Sequence, residues 1–353
     1  MALFEVTEYD KKVYEEELKD FLPDKMLDVH THVYKDSLRP QPWVVDGQIK
    51  RTSNTWVARV AIDNPIEDLM ETYALMFPGK DVKALMFCNG LSDANNDYVR
   101  DVSAKHGWPA LYYSKFHQSA DEVEDYIRKG GFLGLKSYLS QSPAYIPVKE
   151  RRILDFFPKY QLKRMDEMGA IVMCHIPRDG RLKDPVNLYQ LVEIANEFPN
   201  IRFIVAHVGR AYTEEDLGNA FEVLKDAPGL LYDFSANCCD AAIEAVIRHA
   251  GTKKVMFGTD MPILRMRTHR IEENGTYINL VPPGLYGTEQ DDPHLREVSE
   301  EEAKKITFFA YEKLLSFKRV AQKLQLTKQD VEDILYNNAM DMVKAARKSI
   351  YGE

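Results

Sequence analysis

Asp28-Val29-His30-Thr31-His32 follows the apolar pair Met26-Leu27 and precedes a long stretch without regular periodicity. Side chains on a β-strand alternate between two faces, so Asp28, His30 and His32 are expected on the same face. Two imidazoles side by side at a strand end provide half of a metal site. A His-x-His triplet is also typical of two surface histidines. The interpretation therefore depends on whether the rest of the chain supplies further ligands.

Seven more short apolar runs follow, and each is compatible with a buried strand. They cover residues 81–88, 110–116, 132–139, 170–176, 202–209, 230–236 and 255–262. Helix-like segments lie at residues 95–105, 121–129, 158–168, 187–197, 214–224 and 240–250, with Thr213 as the expected start of the fifth. This alternation predicts a parallel α/β sheet, and eight strands match a (β/α)8 TIM barrel. A doubly wound open sheet is the alternative, but no Gly-x-Gly-x-x-Gly follows the first run.

The segments outside this repeat predict extra elements on the barrel. Residues 1–25 form an N-terminal extension with an amphipathic helix at 9–21, and residues 300–353 form C-terminal helices, at 300–317 and 327–348. Long loops follow the first and eighth runs, at residues 33–80, with a helix at 65–77, and at 265–299. Loops of this length are usually functional, and we expect the second to cover part of the barrel mouth. It could also form a contact between subunits. Tyr34, Trp43 and Trp56 in the first loop could form an apolar wall or anchor that loop.

Bulk composition excludes several classes of protein. The chain has 353 residues, 45% of them hydrophobic, so we expect one barrel domain over residues 1–353. A net charge of -9 disfavours a nucleic-acid binder. The four cysteines lack zinc-finger spacing and are typical of free thiols in a reducing compartment. We recognise no signal peptide. No apolar run approaches the length of a membrane-spanning helix, which is roughly 20 residues. The sequence therefore predicts a cytoplasmic protein that binds neither nucleic acid nor membrane.

Most of the apolar runs contain, or end in, a residue that can bind a metal or act as an acid or base. Besides the two histidines of the first run, the fourth run carries Lys136, and the fifth, sixth and eighth carry His175, His207 and Asp260. Polar groups in apolar strands are unfavourable unless they have partners. Active sites of barrels lie at the C-terminal ends of the strands. The placement therefore predicts one site on this rim.

This set of residues resembles the amidohydrolase superfamily, which has His-x-His on the first strand, His on the fifth and sixth, and Asp on the eighth. The sequences DVHTH and FGTD, the latter at residues 257–260, are similar to the amidohydrolase-related branch. That branch includes aminocarboxymuconate-semialdehyde decarboxylase, aromatic-acid decarboxylases, and hydrolases of lactones and carboxylic esters. The resemblance covers roughly residues 26–345.

The resemblance implies that His30, His32, His175 and Asp260 hold one divalent metal, with zinc favoured and manganese as the alternative. His207 would lie just off the metal, where it polarises a substrate carbonyl or holds the water. Asp260 would serve as both ligand and general base. This chemistry is consistent with the residue types, because a metal lowers the pKa of its bound water and a nearby carboxylate can accept the proton.

Lys136 has three interpretations. In binuclear members of the superfamily a fourth-strand lysine is carbamylated and bridges two metals, so a second metal is expected only if Lys136 carries that group. Alternatively, Lys136 contacts a substrate carboxylate or forms a structural salt bridge.

Basic residues in the loops after the strands suggest a small anionic substrate, because arginine suits carboxylate recognition. We expect Lys136, Arg178, Arg210 and Arg265 to contact it. These arginines could instead be solvated or paired with acidic neighbours, among which are Asp179, Asp184 and Glu214. Further basic and aromatic residues in these loops are Arg181, Tyr212, Arg267 and Arg270.

Three functions compete on this evidence. The leading hypothesis is a hydrolase of a small carboxylated lactone, ester or amide, acting through a metal-activated water with Asp260 as base. The alternative is a nonoxidative decarboxylase of a small unsaturated or aromatic carboxylic acid at the same centre. The third is a barrel without catalysis that serves as a binding protein, which the complete ligand set disfavours. We also expect a homo-oligomer, a dimer or larger.

Overall fold

Each of the eight apolar runs contains a strand in a computed structural model, which describes residues 3–39, 44–45, 48–49, 55–90, 92–287 and 292–353. Numbered in chain order, the strands are β1 Lys25–His32, β2 Asp81–Phe87, β3 Tyr112–Tyr113, β4 Gly134–Ser137, β5 Ile171–Cys174, β6 Arg202–Val205, β7 Leu231–Asp233 and β8 Val255–Met256. Trp43, expected to form part of an apolar wall or to anchor the first loop, lies outside the described residues.

The eight strands close into a ring. β1 and β2 pair in parallel, and β3 to β8 form a continuous parallel sheet. An isolated parallel bridge between Met86 and Ala110 joins the two sheets, and another between Thr31 and Met261 closes the other side. The backbone N–H of Val29 also donates to the Phe257 carbonyl at 2.9 Å. The predicted (β/α)8 barrel is therefore confirmed, and the open-sheet alternative is excluded.

The barrel interior is an apolar core closed at the bottom by the last helix. Leu27, Phe87, Met173 and Ile204, from four different strands, belong to one buried cluster. The same cluster includes four residues of the C-terminal helix, which are Ala339, Met342, Val343 and Ala346. Because the lower barrel is filled, the upper, C-terminal rim is the part left to form a site.

Helices surround the ring at nearly the predicted positions. The longer ones are Ile66–Met76, Asp93–His106, Ala120–Gly130, Lys159–Met168, Pro185–Glu197, Asp240–Ala250, Phe309–Lys323 and Asn338–Tyr351. Glu8–Val13 continues as a π-helical turn, Tyr14–Leu18, and Lys328–Glu332 reaches the last helix through another, Asp333–Asn337. Short α-helices are Thr55–Val60, Ile153–Phe156, Ala220–Val223 and Glu300–Ala303.

Two predicted helices differ from the structure. The one expected at residues 214–224 begins only at Ala220. Thr213 does not start it, because the Asp216 carboxylate accepts the Thr213 backbone N–H at 3.1 Å and holds a loop in which Gly218 has φ of 48°. The helix expected at 300–317 is two helices, with a break between Ala303 and Phe309.

Both long loops contain ordered structure that meets near the barrel mouth. The loop after β8 forms a three-stranded sheet, His269–Glu273, Thr276–Val281 and Leu295–Glu297. The loop after β1 contains the paired strands Val44–Val45 and Gln48–Ile49. Trp56 packs against the core and donates from its indole nitrogen to Asp292 at 2.9 Å, which anchors the first loop on the second. Across the described residues, no helix has both the length and the apolarity that a bilayer crossing requires.

Candidate metal centre

A cavity of about 310 Å³ lies at the C-terminal ends of the strands. All six strand residues singled out in the sequence line it, which are His30, His32, Lys136, His175, His207 and Asp260. Tyr34, Tyr138 and Tyr212 form aromatic parts of its wall. The topology therefore brings together side chains that are up to 230 positions apart in the sequence.

The Asp260 carboxylate is the centre of this group. Its Oδ1 lies 3.3 Å from His32 Nε2 and 3.6 Å from His30 Nε2. His30, His207 and Asp260 each offer a ligand atom within 4.8 Å of the other two, which is close enough to share one cation. The His175 ring centroid lies 5.3 Å from that of His207. The assignment of His32 and His175 as ligands, with His207 beside the metal, remains a prediction.

Three of the imidazoles are oriented by oxygen atoms behind them. His30 Nδ1 lies 3.0 Å from an Asp233 oxygen. His32 Nδ1 lies 3.2 Å from the Cys88 carbonyl, and His207 Nδ1 lies 2.9 Å from the Ser235 carbonyl. A carbonyl oxygen can only accept, so Nδ1 carries the proton in the last two rings and Nε2 keeps its lone pair.

Asp233 is a functional residue that the sequence interpretation missed. One of its oxygens meets His30, and the other accepts the His207 backbone N–H at 3.0 Å. Burial alone would raise its pKa, but the adjacent His30, together with His207 and Ser235, lowers it overall, so it is ionised. A carboxylate behind a ligating imidazole fixes the ring and raises its basicity. The available signal was its position, because Asp233 ends β7 as the other polar residues end their strands.

The two histidines of β1 do not share a face with Asp28, contrary to the prediction. The β1–β2 register shifts by one residue between Asp28 and Thr31, which is the signature of a β-bulge. The Asp28 carboxylate accepts the hydroxyl of Tyr73, on a surrounding helix, at 2.6 Å. His30 and His32 instead lie against the ring of Phe87, with centroids 5.3 and 4.7 Å away. The bulge therefore directs both imidazoles toward the cavity.

Left-handed backbone occurs at two of the site residues. Asp260 has φ of 65°, and the four residues from His207 to Arg210 have φ between 50° and 60°. Such conformations are unfavourable for residues other than glycine and persist where the surroundings hold them. The Asn237 amide donates to the carbonyls of His207 and Ala211, at 3.2 and 2.8 Å, and so clamps that turn.

Burial sets the protonation of the site. It lowers the pKa of His30 to about 4 and that of His175 well below its usual value. Both imidazoles are therefore neutral near pH 7, which is the form that binds metals. Burial alone would raise the pKa of Asp260, but the adjacent imidazoles of His32, His207 and His30 lower it overall. The resulting group combines neutral nitrogen donors with one anionic oxygen donor.

Lys136 is a buried cation facing the cavity. Among the described residues it has no salt bridge and no hydrogen bond for its side chain, and its ammonium lies 5.2 Å from the Phe87 ring centroid. Burial lowers its pKa to about 8. Of the three interpretations of Lys136, the structural salt bridge is therefore not supported.

The predicted arginines do not line this cavity. Arg178 pairs with Asp184 at 3.0 Å, and Arg210 donates to backbone carbonyls of residues 176–178 at 3.2 to 3.4 Å. Arg265 donates to Thr72 and Asn64 and lines a separate cavity. Their role as substrate contacts remains a prediction.

Arg39 lines the cavity instead and was missed. Its Nε lies 2.8 Å from an Asp36 oxygen. Its place three residues after Asp36 in an irregular loop carried no periodic signal.

The sheet formed after β8 supports one wall of the cavity. The rings of Tyr212, in the wall, and Tyr277, in the sheet, have centroids 5.3 Å apart. The Arg270 guanidinium lies 4.4 Å from the Tyr277 ring centroid and 5.1 Å from that of Tyr212. The inserted segment therefore reaches one wall of the barrel mouth, and its role as a cover remains a prediction.

Comparisons with known proteins agree with this architecture. A family model described as Amidohydrolase matches residues 27–344. An amidohydrolase structure from Burkholderia multivorans with bound zinc is 10% identical, with 90% of this chain and 99% of that chain covered and a TM-score of 0.54. A dihydroxybenzoic acid decarboxylase from a Polaromonas species, with bound manganese and the inhibitor 2-nitroresorcinol, is 12% identical, with 93% and 100% covered and a TM-score of 0.51. No curated protein matches the chain significantly.

Proposed function

The chain belongs to the Amidohydrolase family, and we propose that it is a metal-dependent hydrolase of a small carboxylated lactone, ester or amide. One observation carries the proposal. His30, His207 and Asp260 converge within 4.8 Å in a cavity that also contains His32 and His175. A convergent group of imidazoles and one carboxylate at the C-terminal rim of a barrel is the arrangement of a catalytic metal site.

The donor set fits one divalent metal. His30, His32, His175 and Asp260 would hold it, and His207 would lie beside it. Imidazole and carboxylate ligands suit zinc, and manganese is the alternative; the two similar structures contain these two metals. When bound, such a metal lowers the pKa of water and polarises a carbonyl. The buried His175 Nδ1, which has no hydrogen-bond partner among the described residues, is available for a ligand.

The residues around the centre provide the remaining functions of hydrolysis. Asp260 is ionised, so its carboxylate can accept the proton that water loses when it attacks a carbonyl carbon. His207 donates from Nδ1 to the Ser235 carbonyl, so its Nε2 carries a lone pair. Nε2 can donate to the developing oxyanion or leaving group only after it has taken up a proton. Asp233 fixes the His30 ring and the His207 backbone, which keeps both in place during turnover.

An anionic substrate is favoured by the cations of the cavity. Lys136 has no protein carboxylate paired with it among the described residues, and Arg39 lines the same cavity. Burial disfavours the Lys136 cation, and the negative charges of Asp260 and Asp233 offset this only in part. A substrate carboxylate paired with the ammonium would therefore stabilise it further. Alternatively, a carbamate on Lys136 would remove its positive charge and would bind a second metal.

The second candidate is a nonoxidative decarboxylase of a small unsaturated or aromatic acid. The observation in its favour is again Lys136, because a cation beside the metal residues would hold a carboxylate next to them. The Polaromonas structure, which is similar in fold, is a dihydroxybenzoic acid decarboxylase.

The test is metal analysis followed by a substrate screen. Metal per chain should be close to one, and two metals with bicarbonate-dependent activity would indicate carbamylated Lys136. Loaded and chelated protein is then incubated with carboxylated lactones, esters and amides, and with aromatic acids, while proton and carbon dioxide release are followed. Methyl esters and carboxamides of the same compounds serve as uncharged controls. Chelator-sensitive proton release without carbon dioxide supports the hydrolase, carbon dioxide supports the alternative, and the absence of bound metal contradicts both.

A further inference from the structure

Lys313 is a fully buried lysine behind the candidate metal centre. It belongs to the helix Phe309–Lys323 outside the barrel, and none of its surface is exposed. Its ammonium donates a hydrogen bond to the Gly258 carbonyl and lies 4.0 Å from the Phe257 ring centroid. A lysine is almost never buried this completely unless a specific partner requires it.

The carbonyl that Lys313 holds belongs to the segment that carries Asp260. Gly258 packs so closely that a Cβ there would lie 2.9 Å from the His30 Cβ. Its neighbour Thr259 donates its backbone N–H to Asp28 at 2.8 Å, and Asp260 follows with left-handed backbone. The segment Gly258-Thr259-Asp260 is therefore fixed by Asp28 through Thr259 and by Lys313 through Gly258.

We propose that Lys313 is a positioning residue of the metal centre, which sets the backbone that places Asp260 against His30 and His32. The inference rests on the proposed function, since it assumes that these residues bind a metal. Residues behind metal ligands commonly change metal affinity by about 10- to 100-fold when they are substituted.

A positioning role and a purely electrostatic role of Lys313 predict opposite changes in metal affinity when the lysine is lost. Asp28 and Asp233 are close enough that their negative charges raise the pKa of Lys313, although burial lowers it overall to about 7. A positive charge behind the centre disfavours a second cation, so removing charge alone would tighten metal binding. Loss of the hydrogen bond that positions Asp260 would weaken it. The sign of the change therefore separates the two roles.

Ser316 provides a matched control on the same helix. It is also buried and also donates to a backbone carbonyl, that of Cys238 at 3.0 Å, away from Asp260. The Ser316→Ala variant should lose a comparable bond between the helix and a loop, without disturbing the segment that carries Asp260.

The experiment measures the zinc dissociation constant of the full chain by competition with a chromophoric chelator, with the melting temperature of the metal-free protein recorded in parallel. Lys313→Met should bind zinc about 10- to 100-fold more weakly, and Ser316→Ala should stay within about twofold of the wild type. Lys313→Arg, which keeps a donor, should recover part of the loss.

Zinc affinity of Lys313→Met within twofold of the wild type, or tighter, would overturn the proposal. If Lys313→Met does not fold, Lys313→Gln is measured by the same criterion. Failure of both to fold would assign Lys313 to general stability and also overturn the proposal. A wild-type protein that binds no zinc or manganese is a separate result, which contradicts the proposed function.

Discussion

Asp233 connects the candidate metal centre to the barrel backbone, since its two oxygens serve different partners. One meets the His30 imidazole and the other accepts backbone N–H groups of His207 and Ser235. A single buried carboxylate therefore orients a side chain of the first strand and the start of the left-handed turn after the sixth. The loss of its charge should affect both histidines at once.

Substitution Asp233→Asn should weaken metal binding by about 10- to 100-fold, because the amide cannot raise the basicity of His30 as a carboxylate does. The measurement is the zinc dissociation constant. Asp10→Asn is the control, since it removes an equally buried carboxylate that lies in the N-terminal helix. A metal affinity for Asp233→Asn equal to that of the control would show that Asp233 has no role in the centre.

Substitution Asp260→Asn should remove catalysis more completely than it removes metal. An amide oxygen still contacts a cation, but it cannot accept a proton at neutral pH. Activity should fall by at least about 10²- to 10⁴-fold, the usual contribution of acid–base assistance, with metal retained by the histidines. His207→Asn should also slow turnover without loss of metal. Near-normal turnover of metal-loaded Asp260→Asn would mean that the base is elsewhere, with Lys136 or His207 the first residues to test.

At the scale of elements, the strands and most helices could be predicted, because each is a separate run with its own periodicity and start signal. Asp240–Ala250 was predicted with its observed bounds. The bulge in β1 could not be predicted, because it arises from the pairing of β1 with β2 and leaves no pattern in the sequence of β1 itself. The same limit applies to the site. His30 and Asp260 stood out as polar ends of apolar strands, whereas Arg39 reaches the cavity only through the path of a loop.

The sheet inserted after β8 should control substrate binding and not metal binding. Substitution Tyr277→Leu removes the ring that contacts Tyr212 and two guanidinium groups. Contacts of this kind contribute about 0.5–2 kcal/mol, so KM for the substrate identified by the screen should rise roughly 2- to 30-fold with unchanged zinc affinity. Glu273→Gln, which alters an exposed ion pair of the same hairpin, is the control. An unchanged KM for Tyr277→Leu would argue against a covering role.

The N-terminal helix is attached to the barrel by a buried ion pair. Asp10 is fully buried and accepts from Arg267 in the inserted segment and from Thr307 at 2.7 Å. Asp10→Asn should lower the free energy of unfolding by about 3–5 kcal/mol, because it leaves a largely buried guanidinium without its counter-charge. Glu8→Gln, which breaks an exposed pair with Lys11 in the same helix, should change it by less than about 1 kcal/mol. If urea unfolding gave the same loss of unfolding free energy for both substitutions, the Asp10–Arg267 pair would not be what attaches the helix.

The Asp10 pair also has a defined pH dependence. Burial alone raises the pKa of Asp10, but the hydrogen bonds from Arg267 and Thr307 lower it overall. The folded protein therefore favours the charged form, and the resulting stability is present above the unfolded pKa of about 3.9. It should be lost as the pH falls through the lower, folded pKa. The difference in stability between wild type and Asp10→Asn should accordingly narrow in that acidic range.

At the scale of the whole molecule, the metal centre spans the closure of the barrel. His30 and His32 come from the first strand and Asp260 from the segment after the eighth, and the Asp260 backbone N–H donates to the His30 carbonyl at 2.6 Å. A metal held by these residues would connect the two ends of the ring. Metal binding should therefore stabilise the entire fold and not one loop.

The double substitution His30→Ala with His32→Ala tests this coupling. A ligand that binds only the folded state stabilises it by about 2.7 kcal/mol at 100 times its dissociation constant. Wild-type protein should thus melt at a higher temperature with zinc than after chelation, and the double variant should show no such difference and no metal by elemental analysis. Scans are compared at one fixed rate, because large proteins often unfold irreversibly. The melting temperatures of chelated wild type and chelated double variant are also compared, because their difference gives the effect of losing the two side chains in the absence of metal. A double variant that keeps full metal occupancy, or a zinc-induced rise in melting temperature equal to that of the wild type, would show that the metal binds elsewhere.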